Sequence, residues 1–222
     1  MTGVLDLWPA ARLRVRSGDL ELRWMDDLLL PQVADLAGRG IHDPDAMPFY
    51  VPWTRGSALE VTRSVLTYQW GVRGAVGPER LVVELAVLHH GQPVGVQGAS
   101  GDDFGTLRSV ETGSWLGREF QGRGIGTRMR VLMLHLLFAG LEATEVTSGA
   151  FADNAASNAV SRRVGYEANG ISMKVREGKP AEHVSYRMTR ERWGSLAAQH
   201  ARILGAEVSI DGDAKVREQL GL

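Results

Sequence analysis

The stretch REFQGRGIGTRMR (residues 118–130) places glycine at three alternate positions, Gly122, Gly124 and Gly126, just before apolar residues at helical spacing. A helix that begins in a glycine-rich turn leaves its first N–H groups without helical partners, and the helix dipole adds positive potential there. Glycine also lets the backbone approach a ligand closely, because it has no Cβ. The stretch therefore predicts either a site for an anion such as phosphate or a tight turn without a ligand.

Two nucleotide-binding patterns do not fit this stretch. A dinucleotide fingerprint requires G-x-G-x-x-G, but the third glycine counted from Gly122 or Gly124 falls on Thr127 or Met129. A P-loop requires Gly-Lys-Ser/Thr, and the stretch contains no lysine. These mismatches exclude the dinucleotide fingerprint and the P-loop. The glycine-rich stretch therefore begins a helix in some other way.

The composition excludes several classes of protein. A net charge of −1 over 222 residues gives no electrostatic basis for binding nucleic acid or an anionic membrane. The absence of cysteine excludes disulfides, thiolate metal sites and a cysteine nucleophile. The longest near-apolar stretch, VLMLHLLFAGL, is too short to span a bilayer, and the first residues lack the pattern of a signal peptide. We therefore expect a cytoplasmic protein with neither nucleic acid nor a membrane as partner.

The hydrophobic pattern around the glycine stretch alternates between strands and helices. RLRVRSGDLELRWM predicts two strands around a turn, and ERLVVELAVLHH, QPVGVQGAS and TLRSVETGSWLG predict a meander of three more. Ser57 and Glu60 have the spacing of a capping box, at the start of a helix that follows a proline- and aromatic-rich loop. A helix from Gly124 to about Gly140, a strand in EATEVTSGAF and a helix in NAASNAVSRRVG follow. This order indicates an α/β or α+β domain around a mixed sheet.

Two motifs carry a resemblance to a known family. QGRGIG (residues 121–126), after a strand that ends in WLG (residues 115–117), resembles the acyl-CoA-binding signature of the GNAT N-acyltransferases. NAAS (residues 154–157), on a helix that closes with VGY, is similar to the branch of the RimJ/RimL-type ribosomal-protein N-acetyltransferases. The two motifs stand in the family's order, separated by one predicted helix and one predicted strand.

The resemblance implies the GNAT fold, with a mixed central sheet of about seven strands flanked by helices. It covers residues 11–190, and it leaves a leader over residues 1–10 and a C-terminal extension over residues 191–222. For the extension we predict a role in self-association, and hence a homo-oligomer. Its segment EVSI either completes a sheet edge or pairs with another copy of the chain.

The resemblance also implies a co-substrate, acetyl-CoA or succinyl-CoA, and no metal. Amides of the glycine stretch then bind the pyrophosphate, and the pantetheine arm lies along the strand edge at WLG. Asn154 caps its helix, holds the pantetheine, or does both. The implied cofactor-binding residues are Trp115, Leu116, Gly117, Gln121, Gly122, Arg123, Gly124, Ile125, Gly126, Thr127, Asn154 and Ser157. His89 and His90 lack ligand spacing to other candidates, so no metal is expected there.

Acyl transfer requires an amine that loses a proton and a thiolate that leaves. Since the chain has no cysteine, an acyl-cysteine intermediate is impossible, and direct attack in a ternary complex is the simpler route. The resemblance assigns Ser157 as the acid near the sulfur, and Ser161 stands where other branches place a tyrosine acid. It assigns Glu111 as the base. The alternatives are a surface serine and a glutamate paired with an arginine, while His42 and Asp43 are further candidate bases.

The loop HDPDAMPFYVPWTRGS (residues 42–57) is the candidate acceptor site. In resembling GNATs this loop covers the acceptor, which makes His42, Phe49 and Trp53 substrate residues unless the aromatic rings only pin the loop to the core. The loop is also similar to that of an actinobacterial GNAT subgroup associated with succinyl-CoA. A carboxylate on the acyl group favours an arginine partner. The candidates for that partner are Arg55, Arg123 and Arg128.

The sequence thus predicts a GNAT N-acyltransferase that moves an acetyl or succinyl group from acyl-CoA to a primary amine. The amine is a protein N-terminus, a lysine side chain or a small molecule. The alternative is a non-catalytic acyl-CoA-binding module, which would keep the glycine stretch and lose the acid and the base. The presence of Asn154, Ser157 and Glu111 favours the enzyme.

Overall fold

Residues 3–222, the part of the chain that the computed structural model describes, form nine strands in one sheet. The strands are β1 (Arg14–Ser17), β2 (Leu20–Trp24), β3 (Arg80–His89), β4 (Gln92–Asp102), β5 (Ser109–Leu116), β6 (Glu145–Phe151), β7 (Glu167–Arg176), β8 (Lys179–Thr189) and β9 (Ser209–Asp211). Their order across the sheet is β7-β8-β6-β5-β4-β3-β2-β1-β9. Every neighbouring pair is antiparallel except β5 and β6, so the sheet is mixed.

The helices pack on both faces of this sheet. They are α1 (Val4–Leu7), α2 (Leu30–Gly38), α3 (Ala58–Val72), α4 (Phe104–Leu107), α5 (Ile125–His135), α6 (Ala155–Val164), α7 (Arg190–Ser195), α8 (Ala197–Leu204) and α9 (Asp213–Leu220). The predicted capping box is confirmed, because the Ser57 N–H donates to Glu60 Oε2 at 2.7 Å and the Glu60 N–H donates to Ser57 Oγ at 3.4 Å. The helix predicted to reach Gly140 leaves the α-helical form at His135 and continues as one π-helical turn, Leu136–Gly140.

Two apolar clusters define the two faces. Leu132 and Met133 of α5 are fully buried in the larger cluster, together with Val110 and Leu116 of β5. We call this side of the sheet the α5 face. Side chains alternate along a strand, so the intervening residues of β5 point to the opposite side, where α2 and α3 form the second cluster. We call that side the α3 face.

The sheet has two more strands than the expected seven. β7 was not predicted, because its Asn169-Gly170 pair is typical of a turn. In the structure, Gly170 has a φ of +100° and lies at a register shift inside the strand. β9 corresponds to EVSI, and its Ile210 pairs with Val15 of β1, so this segment completes a sheet edge within the same chain.

Several side chains after residue 190 pack into the α5-face core. Trp193 stacks on Phe138 with ring centroids 5.3 Å apart, and Leu220 of α9 is fully buried. The predicted role of this extension in self-association stays a prediction. Residues 1 and 2 of the predicted leader lie outside the described residues. Among the helices of residues 3–222, none combines the length and the apolar character needed to cross a membrane.

Candidate functional site

The two central strands separate after a short parallel contact. β5 and β6 pair from Ser109 with Glu145 to Thr112 with Ser148. Beyond that point, residues 113–116 pair with β4 and residues 149–151 pair with β8, and the two strands no longer pair with each other. Two backbone edges therefore face each other across a cleft, which we call the strand cleft. Such edges can bind an extended ligand as an additional strand.

The glycine stretch lies at the end of β5, beside the strand cleft. Gly122 and Gly124 have φ of +73° and +79°, a left-handed conformation that favours glycine. Gly124 is the N-cap of α5, and no side chain caps the helix there. A Cβ built on either glycine would meet nothing within 4 Å, so the space in front of the helix start is open. This geometry is that of an anion site at a helix N-terminus.

Gln121 fixes the glycine stretch to its surroundings. Its Nε2 donates to Leu116 O at 2.9 Å and to Ile41 O at 2.7 Å, which joins the stretch to the end of β5 and to the loop between α2 and α3. Gly117 lies at the same junction, and a Cβ there would come within 2.5 Å of Leu36 Cδ1. The side chain of Gln121 is thus engaged with protein carbonyls, while the backbone of the stretch remains available to a ligand.

The start of α6 forms the other wall of the strand cleft on the α5 face. Asn154 Oδ1 accepts a hydrogen bond from the Ser157 N–H at 3.1 Å, which makes Asn154 the N-cap of α6. Asn158, which no sequence pattern singled out, is buried and donates to Phe151 O and Asn154 O, both at 2.9 Å. Asn158 therefore ties α6 to the end of β6.

Ser157 faces the first turn of α5. Val160, one turn later on the same side of α6, lies 3.6 Å from the position of a Cβ built on Gly126 of α5. Ser157 is half-buried, and its hydroxyl makes no hydrogen bond to any residue between 3 and 222. The hydroxyl is thus free to interact with a ligand between α5 and α6.

Glu111 lies on the opposite side of the sheet from Ser157. It is exposed on the α3 face of β5, and within the described residues no arginine or lysine forms an ion pair with it. Burial raises the pKa of Tyr50 to about 12, with a contribution from the negative charge of Glu111, so the two side chains are near each other. The strand cleft is thus flanked by Ser157 on one face and Glu111 on the other.

The loop of residues 39–57 covers the α3 face with aromatic rings. The centroid distances are 5.9 Å from His42 to Phe49, 5.1 Å from Phe49 to Trp53 and 6.0 Å from Trp53 to Trp115 of β5. Both ring nitrogens of His42 are engaged, with Thr54 Oγ1 and with Asp43 O, each at 2.7 Å. The row of rings extends from the loop to the strand cleft, so it both anchors the loop and lines the α3 face.

Tyr50, a residue of the loop predicted to cover the acceptor, forms a pair with His183, a residue that no sequence pattern singled out. Tyr50 Oη lies 2.5 Å from Nε2 of His183, a residue of β8 with 4% exposure. The imidazole lies over Gly149 of β6, where a Cβ would come within 2.2 Å of His183 Cε1. The sequence signal that points to such a close approach is the glycine inside a predicted strand.

Arg130 lies on the α5 face beneath the point where β5 and β6 separate. It is 3% exposed and donates to Ser148 Oγ at 2.7 Å, to Ser114 Oγ at 3.0 Å and to Gln97 Oε1 at 3.3 Å. Its partners are neutral, and no carboxylate of residues 3–222 forms an ion pair with it. A buried cation without an anion is costly. Arg130 could not be singled out from the sequence, because an arginine in an amphipathic helix ordinarily lies on the surface.

The three arginines proposed from the sequence have other positions. Arg55 forms a bidentate pair with Glu177 at 2.8 and 3.0 Å, and Arg128 pairs with Asp19. Arg123 lies 5.9 Å from the centroid of the Phe120 ring. Arg55 and Arg128 are therefore already engaged with carboxylates.

His89 and His90 do have a third ligand-type neighbour, contrary to the expectation from spacing. Their Nε2 atoms lie 2.8 and 3.3 Å from Asp19 Oδ2, because the turn after β1 packs beside the turn after β3. The Arg128 guanidinium beside Asp19 lowers the pKa of that carboxyl to about 2. This cation also occupies the other oxygen of Asp19, which opposes a metal ion at the cluster.

Comparisons with solved structures find acetyltransferases of similar fold. The chain is similar to Mycobacterium smegmatis RimJ in complex with CoA-disulfide, with a TM-score of 0.68, 20% identity, and coverage of 90% of this chain and 96% of that chain. It is also similar to RimL, a ribosomal L7/L12 alpha-N-protein acetyltransferase in complex with coenzyme A, with a TM-score of 0.61, 20% identity, and coverage of 79% and 97%. A third similar structure is the microcin C7 self-immunity acetyltransferase MccE in complex with acetyl-CoA and AMP, with a TM-score of 0.60, 15% identity, and coverage of 77% and 92%.

The similarity to these structures shows the fold, and the match to a family model shows the family. The model described as Acetyltransferase (GNAT) domain matches residues 19–167, which is more than half of the chain. The match includes the glycine stretch, the strand cleft and the start of α6. The chain belongs to the GNAT acetyltransferase family.

Proposed function

We propose that this protein transfers an acyl group from acyl-CoA directly to a primary amine. The observation that carries the proposal is the strand cleft, which opens beside the uncapped start of α5 and is flanked by functional side chains on both faces. A donor bound on the α5 face would present its thioester in the cleft, and an amine would approach from the α3 face. Positioning two substrates in this way supplies much of the acceleration of such a reaction.

The donor site is built mainly from backbone. The N–H groups of residues 121–127 would hold the pyrophosphate, and the edge of β5 at Trp115, Leu116 and Gly117 would hold the pantetheine amides. The complexes of RimJ with CoA-disulfide and of MccE with acetyl-CoA and AMP support an acyl-CoA donor for this chain.

Two side chains would serve the chemistry of the thioester. Ser157 would donate a proton to the leaving thiolate, since its hydroxyl has no partner within the described residues and the residue lies on the side of α6 that packs against α5. Glu111 would attract the acceptor amine and stabilise the positive charge that develops on its nitrogen as it attacks the thioester, since its carboxylate is unpaired within the described residues and lies on the α3 face. The acceptor would be a protein N-terminus, a lysine side chain or a small amine.

Arg130 favours an acyl group that ends in a carboxylate, such as succinyl, over acetyl. Its guanidinium contacts one serine on each of the two separating strands, and no carboxylate of the described chain neutralises it. A carboxylate at the far end of a bound acyl chain would supply the missing anion, and an arginine–carboxylate contact is strong when it is buried. None of the arginines suggested by the sequence offers such a partner with comparable burial.

The variant Arg130→Met tests this donor preference. We expect the ratio of kcat/KM for succinyl-CoA to kcat/KM for acetyl-CoA to fall by about 10- to 100-fold, the worth of one charge-assisted contact. A loss of folded protein would lower both kcat/KM values equally, so it would not change their ratio. Arg123→Met, which removes an exposed arginine from the glycine stretch, is the matched control and should leave the ratio unchanged. An unchanged ratio in Arg130→Met would assign Arg130 to packing alone.

The enzyme and the non-catalytic module are distinguished by thiol release. The purified protein is incubated with acetyl-CoA or succinyl-CoA and one of three acceptors: a peptide with a free N-terminus, an N-blocked peptide with one lysine, or glycinamide. Amine-dependent release of free CoA, with the acylated product seen by mass spectrometry, is the expected result. Binding of both donors without amine-dependent release from any acceptor would favour the module.

A further inference from the structure

The pair of Tyr50 and His183 lies on the α3 face at the mouth of the strand cleft. His183 lies over Gly149, the first residue of β6 that no longer pairs with β5. Tyr50 comes from the loop of residues 39–57, and its ring packs against Phe151 of β6 with centroids 5.3 Å apart. The phenol therefore stands on the side from which an acceptor amine would approach, at the separated edge of β6.

The two partners differ in their access to solvent. Tyr50 is 46% exposed, whereas His183 is 4% exposed, and its Nε2 lies 2.5 Å from Tyr50 Oη. The Nδ1 of His183 has no hydrogen-bond partner within residues 3–222. The phenol thus connects a buried, singly hydrogen-bonded imidazole to the open face of the cleft.

The surroundings of the pair keep the imidazole neutral. Burial lowers the pKa of His183, and the positive charge of Lys174 on β7 lowers it further. Two further charged groups of the described residues lie near the pair: Glu111 on β5, near the phenol, and Arg176, whose guanidinium lies 4.6 Å from the centroid of the Phe151 ring. A neutral imidazole with its proton on Nδ1 accepts a hydrogen bond from the phenol at Nε2, and it can then receive the phenol proton.

We propose that Tyr50 is a catalytic residue that takes a proton from the acceptor amine while it passes its own proton to His183. This proposal rests on the proposed function. As the amine nitrogen bonds to the thioester carbon, the nitrogen's extra proton moves to Tyr50 Oη, and the phenol proton moves to His183 Nε2. The C–S bond then breaks, and the electron pair leaves with sulfur.

The proton balance closes within one turnover. The imidazolium returns its proton through Tyr50 to water, while Ser157 protonates the thiolate and regains its own proton from water. The products are an amide and free CoA thiol, with no net gain or loss of protons or electrons. Glu111 does not accept the proton in this scheme; its negative charge stabilises the positive charge that develops on the nitrogen of the neutral amine as it attacks.

The test uses Tyr50→Phe and His183→Gln in the full chain, with hydroxylamine and acetyl-CoA as probes and hydroxamate as product. Hydroxylamine is small enough to reach the cleft without a specific acceptor pocket. We expect kcat to fall by about 100-fold in Tyr50→Phe, a typical worth of general base catalysis, while the Kd for acetyl-CoA is unchanged. Tyr68→Phe is the matched control, because Tyr68 is 51% exposed on α3 and donates to Glu84 at 3.3 Å, and it should retain wild-type kcat.

The pH profile separates a proton relay from a structural role. We divide the wild-type rate by the His183→Gln rate at each pH, which cancels the effect of the ionisation of hydroxylamine. This ratio should rise with pH as His183 loses its proton, and then level off. A pH-independent ratio, or a wild-type kcat in Tyr50→Phe, would overturn the proposal. If His183→Gln does not fold, Tyr50→Phe decides alone, since it removes one oxygen and keeps the ring on Phe151. A wild-type protein that binds acetyl-CoA and forms no product with any amine would overturn the proposed function, and the relay with it.

Discussion

Gly124→Val is expected to weaken acyl-CoA binding by about 100-fold or more, because it removes about two charge-assisted hydrogen bonds to phosphate. Gly124 is the N-cap of α5 with a φ of +79°, a conformation that a β-branched residue adopts only with strain. Its missing Cβ leaves the space before the helix start open, and valine would fill that space. Isothermal titration calorimetry with acetyl-CoA measures the loss.

A second glycine separates crowding from backbone strain. Gly91, in the turn between β3 and β4, has a φ of +78°, and a Cβ there would also meet nothing within 4 Å. Gly91→Val should therefore lower the melting temperature by a similar amount and keep the wild-type Kd for acetyl-CoA. Near-equal Kd values for Gly124→Val and wild type would show that the pyrophosphate does not bind at the start of α5.

Ser157→Ala is expected to lower kcat by about 10- to 100-fold with the Kd for acyl-CoA unchanged, as for the loss of a proton donor at the leaving group. The fold of α6 is preserved, because its N-cap bond uses the backbone N–H of residue 157 and not the hydroxyl. Single-turnover measurements under saturating acyl-CoA isolate the chemical step from binding.

Ser161→Ala is the matched control for this variant. Ser161 lies one turn further along α6, is buried, and has a hydroxyl without a partner within the described residues. By the family resemblance, Ser161 stands where other GNAT branches have a tyrosine acid. Ser161→Ala therefore tests whether this serine, and not Ser157, is the acid. A wild-type kcat in Ser157→Ala together with a reduced kcat in Ser161→Ala would reassign the acid.

The sequence predicted those features that depend on local pattern. The glycine stretch could be placed at a helix start because alternate glycines followed by helical spacing are a local signal, and the capping box of α3 is another. The mixed sheet followed from the order of strands and helices. The family resemblance implied a free strand edge at residues 115–117 for the pantetheine arm. It did not predict the strand cleft, whose cause is the end of pairing between β5 and β6 after Thr112 and Ser148.

The rest of the site depends on contacts between distant segments. His183 contacts Tyr50 across 133 positions of the chain, and Arg130 meets serines of two different strands, so neither contact has a local signature. β7 was missed for a different reason, since an Asn-Gly pair has the same appearance in a turn and in a bulged strand. Pairing register decides between the two, and register is a property of the whole sheet.

The most direct test of the account is calorimetric titration of the wild-type protein with acetyl-CoA, succinyl-CoA and free CoA in one buffer. We expect all three to bind with one site per chain, and succinyl-CoA to bind most tightly, because its carboxylate would neutralise Arg130 beneath the strand cleft. Equal affinities for the two acyl-CoA donors would contradict the preference for succinyl-CoA and indicate an acetyltransferase. Absence of binding by all three would contradict the assignment of the glycine stretch and the strand cleft to coenzyme A.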